Sequence, residues 1–176
     1  MTVEALRGGR PEVLADLLST YGHDLQAVAY TVLRDRSAAE DVVADTLLAA
    51  LDHGRQLRAD AALRPWLLRI ATNKALRYRS RRVRILELDV ASDLAEQRRG
   101  PDHAELVALW HAVSALAPRM RAAVVLRYYL DLPVDEVAAV LDVSPNTIKT
   151  QLKAALAHLR TALAEPSTIS AEVGHA

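Results

Sequence analysis

The sequence predicts an all-α fold: two small helical domains joined by a flexible acidic linker. Three observations carry that expectation. Hydrophobic residues make up 51% of the chain but are mostly Ala, Leu and Val, with no Phe and two Trp. Ala and Leu are strong helix formers, and the β-branched and aromatic runs that fill sheets are scarce. Apolar positions recur at three- and four-residue steps. Finally, the 176 residues suit two small cores, and the periodicity lapses once, near the middle.

Taken in order, residues 11–34 read as one or two helices, with Val13, Leu14, Leu17 and Leu18 and then Leu25, Val28, Ala29, Val32 and Leu33 at helical spacing. Ser37 followed by Glu40 makes a capping box for a second helix that carries Val43, Leu47 and Leu51 and stops at Gly54. Pro65 lies near the start of a long basic helix ending around Arg84, a place where a missing N–H costs nothing. Residues 85–100 lose the pattern and collect Glu87, Asp89, Asp93 and Glu96. Fully extended, such a linker reaches on the order of 50 Å, enough for its flanking domains to engage separate surfaces. Helices are then expected over 102–116, 118–130, 133–141 and 144–163, and the tail from 165 to 176 is expected to be disordered. The domains so drawn are 10–84 and 101–164. Trp66, Trp110, Tyr128 and Tyr129 are expected to pack as core aromatics.

Composition excludes several classes. No stretch approaches the roughly 20 apolar residues that cross a bilayer, and Arg7 and Arg10 interrupt the N-terminus before a signal core could form. The absence of cysteine removes disulfides and thiolate metal sites and fits a cytoplasmic protein. The six histidines lack paired-ligand spacing, so no metal site is assigned. With no Gly-rich phosphate loop and no nucleophile motif, the chain offers no catalytic residue, no cofactor site and no small-molecule substrate pocket. Net charge is zero, yet the charges are segregated. Nine basic residues from Arg58 to Arg84 face one acid, Asp60, while Asp35, Glu40, Asp41, Asp45 and Asp52 make the preceding helix acidic. Opposite faces on adjacent helices imply two kinds of partner.

The last 35 residues of the second domain carry the sharpest pattern. Val134, Val137, Ala138 and Leu141 form one packing stripe, Asp142 and Val143 break the helix, and Ile148, Leu152, Leu156, Leu159 and Leu163 form the next stripe. Two helices around a three- or four-residue turn make a helix-turn-helix. Asp142 stands where such turns favour Gly, and Asp tolerates positive φ better than most residues. Ser144 as N-cap and Pro145 at the first helical position define the start of the second helix. Its opposite face shows Asn146, Thr147, Lys149, Thr150, Gln151 and Lys153, the amide, hydroxyl and ammonium groups that read base edges and hold phosphates.

Three blocks then resemble the sigma-70 family of RNA polymerase sigma factors. Ala39-Glu40-Asp41-Val42-Val43-Ala44-Asp45-Thr46-Leu47-Leu48 is similar to the family's second region, usually written AEDLVQETFL. Arg64-Pro65-Trp66-Leu67-Leu68-Arg69-Ile70-Ala71-Thr72-Asn73 is similar to the block RTWLYRIARN that follows it. Leu126-Arg127-Tyr128-Tyr129 through Asp142-Val143-Ser144-Pro145-Asn146-Thr147-Ile148-Lys149-Thr150 resembles the fourth region. The short length, with no domain between the second and fourth regions, is the arrangement of extracytoplasmic-function members.

The resemblance implies roles. Glu40, Asp41, Asp45 and Thr46 would dock on the β′ clamp of core RNA polymerase, and the second domain would meet the β flap. Arg55, Arg58, Asn73, Lys74, Arg77 and Arg81 would hold the melted −10 element, the cost of unpairing being offset by a base pocket and phosphate contacts. Ser144, Asn146, Thr147, Lys149, Thr150, Gln151 and Lys153 would read the −35 element in the major groove. Promoter DNA and core polymerase are thus the implied partners, an anti-sigma factor a further one the family admits. The sequence departs from the family pattern at Ala44 for Gln, Leu47 for Phe, Leu51 for Trp and Arg77 for Asp. Two other readings stay open: a stand-alone helix-turn-helix regulator acting as a homodimer, and a sigma mimic that sequesters an anti-sigma factor.

Overall fold

The computed structural model describes residues 6, 12–54, 57, 62–86 and 103–164. Among them the regular elements are all helical: α1 (Glu12–Leu33), α2 (Arg36–His53), α3 (Leu63–Leu86), α4 (His103–Ala115), α5 (Pro118–Val124), a π-helical turn (Val125–Tyr129), α6 (Val134–Leu141) and α7 (Pro145–Ala164). The acidic linker expected over 85–100 and the tail over 165–176 lie outside the described residues, apart from the end of α3.

The first three helices bury one stripe each: Leu17, Leu25, Val28 and Ala29 from α1, Ala39, Val42 and Val43 from α2, and Leu63, Leu67, Leu68, Ala71 and Ala75 from α3. A fully buried Leu or Val contributes about 1.5–3 kcal/mol relative to exposure, and the small residues between them let the helix axes approach. Glu12–Leu33 is a single helix. It ends at Arg34, whose φ of 57° is unusual for a residue with a side chain.

The second helix is capped two residues earlier than the capping box predicts. Asp35 is its N-cap, with φ −140° and ψ 118°, and its Oδ1 accepts from the Ala38 amide at 3.0 Å. Glu40 does not reach back to Ser37; it pairs with Arg36 at 3.0 Å. A carboxylate is as good a cap as a hydroxyl, and Asp35 is held from its other side by Arg82 of α3. Gly54 closes α2 in ordinary right-handed geometry. Its missing Cβ matters for space instead, because a methyl there would stand 3.3 Å from Leu6 Cβ.

In the second half, Ala122, Leu126, Leu132, Val137, Leu141, Ile148, Leu152 and Ala155 are buried together. The π turn, in which the Leu130 amide bonds the Val125 carbonyl at 2.9 Å, inserts an extra residue per turn. Tyr128 and Tyr129, expected to pack as core aromatics, stand on this turn outside the core, 52% and 60% exposed. Trp110 is half-buried and stacks on Tyr30 of α1, ring centroids 5.4 Å apart and 10° from parallel. Trp66 is half-buried against the core of the first three helices.

The two halves pack on one another. α6 lies along α3, and α5 and the π turn lie against α1, so the buried apolar side chains form one continuous cluster.

Candidate nucleic-acid interface

The helix-turn-helix is built by local signals. Asp142 takes the left-handed conformation (φ 55°, ψ 53°) and its amide bonds the Ala138 carbonyl; the Val143 amide bonds the same oxygen at 3.1 Å. Ser144 Oγ then accepts from the Thr147 amide at 3.1 Å, which starts α7. Ile148, Leu152, Ala155 and Leu159 turn inward, and Asn146, Thr147, Lys149, Thr150 and Lys153 stand exposed on the far side.

Their hydroxyls are not equally free. Ser144 Oγ and Thr147 Oγ1 are 2.8 Å apart, and Thr150 Oγ1 donates to the Asn146 carbonyl at 3.0 Å. Asn146, Lys149 and Lys153 are therefore the uncommitted groups of the face. Gln151 is half-buried, and its Oε1 is enclosed without a hydrogen-bond partner, so it sits beneath the surface it was expected to form. Lys149 and Lys153 also edge a shallow cleft of about 400 Å³ beside Arg127, Tyr128 and Arg160, which extends the cationic strip away from the helix start.

On α3, Arg77 and Arg81 are exposed, while Asn73 and Lys74 are half-buried. Tyr78, 41% exposed, falls between them at the three- and four-residue steps that put side chains on one face. Sequence reasoning missed it, although its four-residue spacing from Lys74 was the available signal. Arg55 and Arg58 lie outside the described residues.

On the acidic helix, Glu40, Asp41 and Asp45 are exposed. Thr46 is a correction to the sequence reading: it is fully buried and its hydroxyl donates to the Val42 carbonyl at 2.7 Å. A β-branched hydroxyl residue satisfied by its own helix is core, not contact surface. A second finding was not legible from sequence. Lys74 Nζ lies 3.2 Å from Asp45 Oδ2, so a cation expected to hold DNA and an anion expected to hold protein neutralise each other across α2 and α3. Arg82 and Asp35 tie the same two helices further along. The Ala38 amide, and after it the Arg82 guanidinium, hold the Asp35 carboxyl below the ordinary carboxylate range.

Beside the acidic face runs a groove between α1 and α2 of about 1110 Å³, lined by Leu18, Gly22, Glu40, Ala44 and Leu47 and also by Tyr129. Ala44 and Leu47 are two of the departures from the family pattern, and their short or flexible side chains leave this space open. Among the described residues no cluster of His, Asp or Glu could hold a metal ion, and no helix is long and apolar enough to cross a membrane.

This arrangement matches known proteins over most of its length. Residues 17–85 match sigma-70 region 2 and residues 106–159 match sigma-70 region 4. The sigma factor SigV of Bacillus subtilis is 23% identical over 153 residues, 86% of this chain and 91% of that protein. The sigma-E factor of Streptomyces antibioticus is 33% identical over 105 residues, 60% of this chain and 57% of that one. Among solved structures, the sigma factor RpoE bound to the anti-sigma factor NepR from Bartonella quintana superposes with a TM-score of 0.72 at 24% identity, covering 88% of this chain and 98% of RpoE. CnrH bound to the cytosolic domain of CnrY gives a TM-score of 0.68, also at 24% identity, covering 92% of this chain and 94% of CnrH; both likenesses speak for the fold. Region 2 followed by region 4, with only a short segment between them, places this chain in the sigma-70 family, as an alternative sigma factor of the extracytoplasmic-function type.

Proposed function

We propose that this chain is a dissociable specificity subunit that binds core RNA polymerase through its first domain and directs it to particular promoters, with no chemistry of its own. The observation that carries the reading is the pairing, in one chain, of an exposed acidic edge at Glu40, Asp41 and Asp45 with two exposed basic surfaces, on α3 and α7. The acidic edge and the groove beside it suit the β′ clamp. Arg77, Arg81 and Tyr78 suit a melted −10 strand, the arginines at phosphates and the ring as a stacking platform. Asn146, Lys149 and Lys153 suit the −35 major groove, the amide at a base edge and the lysines at the backbone. The buried Thr46 takes no part, and Gln151 acts only if its side chain turns outward.

Such a protein works in the cytoplasm, where polymerase and DNA are. An anti-sigma factor is a further proposed partner, since RpoE, which shares this fold, is seen in complex with the anti-sigma factor NepR, and CnrH, which shares it too, in complex with the cytosolic domain of CnrY.

The direct test is multi-round transcription with purified core RNA polymerase on the region upstream of this protein's own gene. A discrete transcript that requires the protein establishes the activity. A stable core complex without transcript points to another promoter. Neither transcript nor core complex sinks the proposal and favours a stand-alone DNA-binding regulator.

A further inference from the structure

The contact between the two halves rests on few polar groups, and they pull in opposite directions. Arg64, in the first turn of α3, donates from Nε to Asp24 Oδ2 at 2.8 Å and from Nη2 to the Leu130 carbonyl at 2.9 Å. One planar guanidinium thus ties α1, α3 and the residue that ends the π turn, a geometry only Arg's fixed fork supplies. The Tyr30–Trp110 stack joins α1 to α4, and Tyr129 places its hydroxyl 3.4 Å from His23 Nε2.

Against these stands Arg121 of α5. Its side chain is 1% exposed, and its Nε and Nη1 have no hydrogen-bond partner. Its electrostatic neighbours are Arg79 of α3 and Arg34 after α1, and burial, reinforced by both of them, lowers its pKa to about 10. It is therefore still a cation at neutral pH. Among the described residues no carboxylate pairs with Arg34, Arg79 or Arg121. Arg34 is in addition held at positive φ. An enclosed guanidinium beside two others of like charge disfavours the packing that encloses it, and separation of the halves returns it to water.

We propose that the packed arrangement is a latched resting state, with Arg64 as the bolt and Arg121 as the group that makes the closed form poised to open. Opening has a use when the chain directs polymerase to two promoter elements, and this part rests on the function proposed above. Elements centred near −35 and −10 lie about 85 Å apart along B-DNA at 3.4 Å per base pair, whereas a compact 176-residue chain has a radius of gyration of about 16 Å. Closure also puts Tyr129 in the same groove as Glu40 and Ala44 of the polymerase-docking helix.

The chain has no cysteine, so Thr20→Cys and Ala157→Cys, at exposed positions on α1 and α7, accept two spin labels without background. Pulsed dipolar spectroscopy on the free, full-length chain should give one narrow, short distance. Arg64→Ala and, separately, Asp24→Asn should spread it to longer distances with helicity unchanged, while Arg121→Met should hold it short. A broad distribution in the parent, or no change in both Arg64→Ala and Asp24→Asn, overturns the latch. These distances answer whether or not the chain binds polymerase. For the regulatory part, a competent fraction rising from about a tenth to near unity tightens core binding roughly tenfold in Arg64→Ala; equal affinities of parent and variant would overturn it.

Discussion

At the scale of single residues, three side chains have effects that can be read separately. Lys149 is exposed on the reading face with no intramolecular ion pair among the described residues. Lys149→Ala should weaken promoter binding at low salt and reduce the slope of log K against log salt by about 0.9, one phosphate's worth of released counterions. An unchanged slope in a salt titration removes Lys149 from the contacts. Asp35 caps α2 and accepts from Ala38 and Arg82, so Asp35→Ala should cost about 1 kcal/mol in a denaturant titration at pH 7. Its pKa is lowered in the fold. The associated stability is therefore complete above the unfolded value near 3.9 and is lost as pH falls through the lower folded value. Asp35→Asn keeps a cap but cannot titrate, so its midpoint should fall less between pH 5 and pH 2 than the parent's. Capping, charge type and exposure at Ser144, Asn146 and Lys149 were legible in the sequence because each depends on a few neighbours. The choice of Asp35 over Ser37 was not, because Arg82, 47 positions away, biases it.

At the scale of elements, the turn between α6 and α7 and the edge of α2 carry the predictions. Asp142 holds φ 55°, where a β-branched residue is strained, so Asp142→Val should destabilise the second domain by about 1–3 kcal/mol, read as a lower denaturant midpoint. A loss below about 0.5 kcal/mol would mean that the turn relaxes. Asp45 and Lys74 form an exposed pair worth about 0–1 kcal/mol. Asp45→Lys should thus leave the fold intact while removing core polymerase binding, measured by co-elution; retained core affinity would give the acidic helix another task. Helix existence followed from apolar spacing alone. The π turn did not, since an i→i+5 turn leaves no mark in composition or apolar spacing, and Tyr128 and Tyr129 stand exposed on it. Thr46 was misassigned for a related reason: position on a matching motif does not say which side of the helix faces the core.

At the scale of the whole molecule, the continuous apolar cluster and the Arg64 bridge predict a single cooperative thermal transition, with calorimetric and van't Hoff enthalpies in agreement. Two resolved transitions in the parent chain would mean that the halves fold independently. What the sequence determined by itself were features set by near neighbours: helices from periodicity, the Asp142–Ser144 turn from local backbone preference, the acidic and basic faces from charge order, and the family from its blocks. The tertiary structure alone decided what depends on residues distant along the chain. It paired Asp45 with Lys74, set Arg64 between Asp24 and Leu130, and enclosed Arg121 beside Arg34 and Arg79. Hydrogen bonds and ion pairs act over a few ångströms, and no local pattern encodes which distant group will arrive within that reach.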